Sequence, residues 1–90
     1  MIRSFRDKGP AAFYSGGRTS GLSVPNVARL GRMLRVLASS ERPEDANLPG
    51  FHFHALHGAE RWSIRVTGNW RMTVGWDGAD AVDVDLEDYH

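Results

Sequence analysis

The run Trp62-Ser63-Ile64-Arg65-Val66-Thr67-Gly68-Asn69-Trp70-Arg71-Met72-Thr73-Val74-Gly75-Trp76-Asp77-Gly78 decides the fold. Trp62, Ile64 and Val66 fall on one side of an extended chain and Ser63, Arg65 and Thr67 on the other, the period of two of a half-buried strand. Gly68-Asn69 is a tight turn into a second strand from Trp70 to Trp76, and Asp77-Gly78 is a strong hairpin signal. Beyond it, Ala81-Val82-Asp83-Val84-Asp85-Leu86 alternates apolar and acidic, so a last strand is expected from about Asp80 to Leu86. Upstream, Phe51-His52-Phe53-His54 also alternates and reads as a strand of its own.

Before residue 51 the period is helical. Pro25 suits a first helical position, and the helix is expected to run to about Ala38. Val27, Leu30, Leu34 and Leu37 form one apolar stripe, with Arg29, Arg32 and Arg35 largely elsewhere as a basic face. Ser39-Ser40 and Pro43 end it, and residues 41–50 form a polar link. Asp7 to Tyr14 reads as a short helix with Gly9-Pro10 near its start. The glycine-rich loop 15–21 lacks the Lys-Ser/Thr ending of a P-loop and serves as a connector. Met1 to Phe5 reads as a short strand. The order β-α-α-β-β-β-β describes an α+β protein, two helices packed against a mostly antiparallel sheet. Ninety residues are expected to form one domain, 1–90.

The apolar fraction of 41% is ordinary. No apolar run approaches the roughly 20 residues that cross a bilayer, and the opening residues lack the apolar stretch of a secretory signal, so no membrane association is expected. Absence of cysteine excludes disulfides and thiolate zinc sites and fits a cytoplasmic protein. The net charge of zero hides an asymmetry. Residues 1–35 carry seven Arg/Lys against one acid, a net +6, whereas residues 36–90 carry four against ten, a net −6. A basic half of this kind attracts phosphate backbones.

Chemistry concentrates in few places. Four histidines raise a metal reading, but His52, His54, His57 and His90 lack carboxylates at ligand spacing, and no metal or other cofactor is expected. Acid–base cleavage of RNA uses the same side chains better. It needs a base for the 2′-hydroxyl proton, an acid for the departing 5′-oxygen and cations for the phosphorane oxygens. Histidine, with a reference pKa near ~6.5, suits both proton roles. The ending Glu87-Asp88-Tyr89-His90 follows a strand pattern expected to hold it against the sheet, and Arg71 can grip a phosphate with its planar fork.

The stretches Met1-Ile2-Arg3-Ser4-Phe5-Arg6-Asp7-Lys8-Gly9 and Asn47-Leu48-Pro49-Gly50-Phe51-His52-Phe53-His54-Ala55-Leu56-His57-Gly58, with Trp62-Ser63-Ile64, Asn69-Trp70-Arg71 and the closing Tyr89-His90, resemble HigB toxins of the RelE superfamily. The resemblance covers essentially the whole chain. It implies a RelE-like fold and a type II toxin that cuts messenger RNA in the ribosomal A site. It also implies a HigA-like helix-turn-helix antitoxin, through whose complex alone the protein meets operator DNA. Carried over by position, the catalytic set is His54, Asp88, Tyr89 and His90. Arg71 is the phosphate-binding candidate, with His57 and Arg61 beside it and Arg29, Arg32 and Arg35 for ribosomal RNA. Relatives usually carry lysine where this chain has His57, so a fixed charge becomes one that depends on pH. The alternative function is a non-enzymatic RelE/ParE-like inhibitor of a partner such as DNA gyrase, or an inactive antitoxin-binding relic.

Overall fold

The computed structural model describes residues 1–58 and 60–88. Helix α1 spans Lys8–Gly16 and α2 spans Val27–Ser39. A short 3-10 turn, Pro43–Ala46, follows, and then strands β1 (His54–Ala55), β2 (Arg61–Thr67), β3 (Trp70–Asp77) and β4 (Asp80–Asp88). The strands form one antiparallel sheet in the order β1-β2-β3-β4. This is the expected α+β architecture. The opening segment runs parallel along the far edge of β4 through isolated bridges at Ile2 with Ala81 and Phe5 with Val84.

Each helix is stopped by local chemistry. The Asp7 carboxylate caps α1 by accepting from the Gly9 amide at 3.0 Å, satisfying a donor that no helical carbonyl reaches. Gly17 ends it in the left-handed conformation, φ 72°, with its N–H on the Phe13 carbonyl at 2.8 Å. Asn26 caps α2 by accepting from the Arg29 amide at 3.0 Å. Pro25 therefore stands just outside the helix it was expected to open: the asparagine side chain, not the proline ring, sets the first turn.

The core-facing pleat carries Ile64, Val66, Met72, Val74, Val84 and Leu86, all buried. Leu30, Met33, Leu34 and Leu37 of α2 cover it. Met33 joins the expected stripe, while Val27 at the helix start is only half-buried. Gly68-Asn69 and Gly78-Ala79 turn the two hairpins, both glycines having positive φ.

The expected strand over Phe51-His52-Phe53-His54 is shorter than its alternation suggests. Only His54 and Ala55 pair regularly, His54 opposite Ser63 and Ala55 opposite Trp62. Phe51 is fully buried in the core, and His52 takes φ 50°, which breaks the extended run.

Arg29, at the start of α2, fastens this segment. Its Nε donates to the Val66 carbonyl at 2.5 Å. Its Nη2 donates to the carbonyls of Gly50 at 2.6 Å and Arg65 at 3.3 Å. One side chain thus joins helix, loop and strand. Arg29→Ala should cost about 2–3 kcal/mol of stability, because charge-assisted bonds are lost and carbonyls are stranded. Arg35→Ala, on the exposed face, should stay within about 0.5 kcal/mol. Urea unfolding of both variants checks this, and equal midpoints would refute the clamp.

Candidate active site

The pleat opposite the helices builds the site. Alternation on β2 sends Arg61, Ser63 and Arg65 to this side, away from Trp62, Ile64 and Val66. The hairpin register then sets Ser63 against Thr73 and Arg65 against Arg71. On β4, Asp85 stands opposite Thr73 and Glu87 opposite Arg71. Two cross-strand rows result, His54–Ser63–Thr73–Asp85 and Arg65–Arg71–Glu87.

A cleft of about 220 Å³ opens over these rows, lined by His52, His54, Ser63, Arg65 and Arg71. Each of the five can donate a hydrogen bond, and none is an acid. Such a lining suits an oxyanion with several acceptor oxygens. The kink at His52 turns its carbonyl onto His54 Nδ1 at 2.9 Å. A carbonyl oxygen only accepts, so Nδ1 carries the proton in the neutral ring, and Nε2 keeps its lone pair as a base. Among the described residues, no three His, Asp or Glu side chains group as metal ligands.

Beside the cleft runs a closed polar chain. Arg61 Nη2 donates to Thr73 Oγ1 at 3.0 Å and to the Asp83 carbonyl at 2.7 Å. Thr73 Oγ1 donates in turn to Glu87 Oε2 at 2.7 Å. Asp83 has φ 51°, a bulged conformation that disrupts the regular β3–β4 pairing between Thr73 and Gly75. Burial, and then the neighbouring Arg6, lower the Arg61 pKa from its ordinary value, against the carboxylates of Asp83, Asp85 and Glu87.

The expected site residues fall into distinct places. His54 and Arg71 meet in the cleft. Arg61 shares their pleat but is committed to Thr73 and Asp83. Asp88 stands opposite Trp70, in the row of the core-facing pleat, one residue beyond Glu87. His57 lies exposed in the turn after β1. The catalytic expectations for Tyr89 and His90 lie outside the described residues. On α2, across the sheet from the cleft, Arg29 is the clamp described above. The Arg32 guanidinium sits 5.7 Å from the Phe51 ring centroid, and Arg35 borders a separate groove between α1 and α2 with Phe13, Tyr14 and Leu34.

Sequence reasoning missed Ser63, Arg65 and the part played by His52. The signal was present for two of them. Alternation put Ser63 and Arg65 on one side of β2, and the Gly68-Asn69 turn placed that side against Arg71.

An α+β scaffold with histidines and cross-strand arginines in a cleft lined by no acid defines a small protein whose cleft suits an anion such as a phosphodiester. The chain matches the family described as RelE-like toxin of type II toxin-antitoxin system HigB over residues 3–90. It is also 34% identical to Endoribonuclease HigB of Proteus vulgaris over 92 residues, covering 100% of both chains. The chain belongs to the HigB-like toxin family, and a type II system implies an antitoxin partner.

Thr73→Val keeps the shape of the side chain but deprives Arg61 of an acceptor and Glu87 of a donor. Stability should fall by about 1–2 kcal/mol. Urea denaturation reads this directly, and a midpoint equal to the parent's would show that the polar chain contributes nothing.

Proposed function

We propose that this toxin is an endoribonuclease that cuts translated messenger RNA on the ribosome and is silenced by a HigA-like helix-turn-helix antitoxin. The observation that carries the reading is the hydrogen bond from His54 Nδ1 to the His52 carbonyl, which leaves Nε2 as a base beside Arg65 and Arg71. The endoribonuclease name of the Proteus vulgaris relative supports it.

In this mechanism Nε2 of His54 takes the proton from a 2′-hydroxyl. The 2′-oxygen attacks the adjacent phosphorus and the bond to the 5′-oxygen breaks, leaving a 2′,3′-cyclic phosphate. Arg71 and Arg65 meet the charge that gathers on the non-bridging oxygens. The departing 5′-oxygen takes its proton from the His90 imidazolium, and Tyr89 completes the catalytic set with Asp88, which contributes from the end of β4 rather than from the row that lines the cleft. Arg61 acts through its field, being tied to Thr73. His57, Arg32 and Arg35 supply exposed charge for RNA, whereas Arg29 contributes by holding the fold. Operator DNA enters only through the antitoxin complex, and the reaction is placed in the cytoplasm.

His54→Ala should lower cleavage about 10²–10⁴-fold, the worth of one positioned proton transfer, and His90→Ala should act alike. Both variants should relieve growth arrest while still binding antitoxin. Mapping message ends after a pulse of expression checks this. Full toxicity of both variants, or intact messages accompanied by DNA damage, would overturn the reading in favour of a gyrase-type inhibitor.

A further inference from the structure

Thr73 and Ser63 are neighbours in one cross-strand row, and both are buried, each 1% exposed. Their hydroxyls fare differently. Thr73 Oγ1 accepts from Arg61 and donates to Glu87. Ser63 Oγ has no hydrogen-bond partner among the described residues. An orphaned buried hydroxyl costs about 1–3 kcal/mol, so alanine at this position would fold at least as well. Its direct cross-strand neighbour is His54, and it lies in the lining of the cleft between that imidazole and the Arg65 and Arg71 side chains. The hydroxyl is a donor that folding leaves unused, held where cationic and imidazole groups converge.

We infer that Ser63 is a ligand-binding residue whose hydroxyl donates to a non-bridging oxygen of the phosphodiester held in the cleft. The inference rests on the proposed action on RNA and deepens it by naming a neutral contact among the charged ones. The arginines attract the phosphate from any direction. A short hydroxyl fixed in a strand accepts it in one position only, with the 2′-oxygen turned toward His54. Because the Oγ itself is covered, the side chains around it must shift for the contact to form.

The test uses the full chain and a short 2′-O-methylated RNA, which binds but lacks the 2′-hydroxyl that cleavage needs. NMR titration reads its affinity even when weak. Ser63→Ala should bind about 10-fold less tightly, the usual worth of a hydrogen bond to a charged group. It should melt no lower than the parent and keep the parent's salt dependence. Arg71→Ala should instead flatten the salt dependence by about one phosphate contact. Ser63→Cys, a weak donor of similar shape, should fall between parent and alanine. Affinity of Ser63→Ala within twofold of the parent, or a lowered melting temperature, overturns the inference. A parent that cleaves RNA while Ser63→Ala binds normally sinks this inference alone. A parent that neither binds this RNA nor cuts messages on translating ribosomes sinks the ribonuclease reading with it.

Discussion

The attachment of Gly50 and Phe51 to the end of β2 is the constraint on which the site depends. The Phe51 ring is buried and its carbonyl accepts from the Arg65 amide at 2.7 Å. Arg29 grips the carbonyls on both sides of that junction, those of Gly50, Arg65 and Val66. Its guanidinium also lies 5.6 Å from the Phe51 centroid. Stacking at such a partly exposed position is worth about 0.5–1 kcal/mol, whereas a part-buried hydrogen bond from a charged group, such as that to Val66, contributes about 1.5–3 kcal/mol. The carbonyl contacts therefore dominate. With Phe51 held from below and His54 paired from the side, the two residues between them must turn sharply. His52 absorbs the turn in a left-handed conformation, at some cost for a residue with a side chain. The turn delivers the His52 carbonyl to the ring of His54. A core aromatic, a helix arginine and a strained histidine thus fix the tautomer of one imidazole.

Much of this fold was legible in the chain. The two hairpins follow from alternation interrupted by Gly68-Asn69 and Asp77-Gly78, although the second turn closes one residue later, on Gly78-Ala79, with Asp77 paired to Asp80. The second helix was legible from Leu30, Leu34 and Leu37. The break at His52 was not, because Phe51-His52-Phe53-His54 satisfies a strand pattern whether Phe51 points into a regular pleat or drops into the core. Alternation records which residues are buried and carries nothing about the sign of φ. The clamp was hidden for a related reason. Arg29, Arg32 and Arg35 look alike along a helix, and only the approach of three carbonyls from elsewhere distinguishes the first. The direction of the opening segment was also silent: local sequence shows an extended stretch but not the neighbour that pairs with it.

At the site, His54 and Arg71 were readable as candidates because imidazole and guanidinium announce their chemistry. Ser63 was not. A serine on the polar side of a strand is ordinarily a solvated residue, and its meaning here comes from burial without a partner, a property of the assembled sheet. Arg65 lay between these cases, being implied by the register yet overshadowed by the arginines of the helix.

The opposed charges of the two halves of the chain acquire a structural sense once folded. The basic opening segment lies along acidic β4, with Arg3 paired to Asp77 and near Asp80. Arg61 faces the field of Asp83, Asp85 and Glu87. Exposed pairs of this kind add little stability, but they cancel field at that edge of the sheet. The cleft lies toward the other edge, where β1 and β2 bring no carboxylate to its lining. For a phosphate, the relevant quantity is this local potential within about a Debye length, ~8–10 Å in ordinary salt. A chain with zero net charge can therefore present an anion-seeking cleft: the nearest acid, Glu87 opposite Arg71, is engaged by Thr73, and the residues lining the cleft carry no carboxylate.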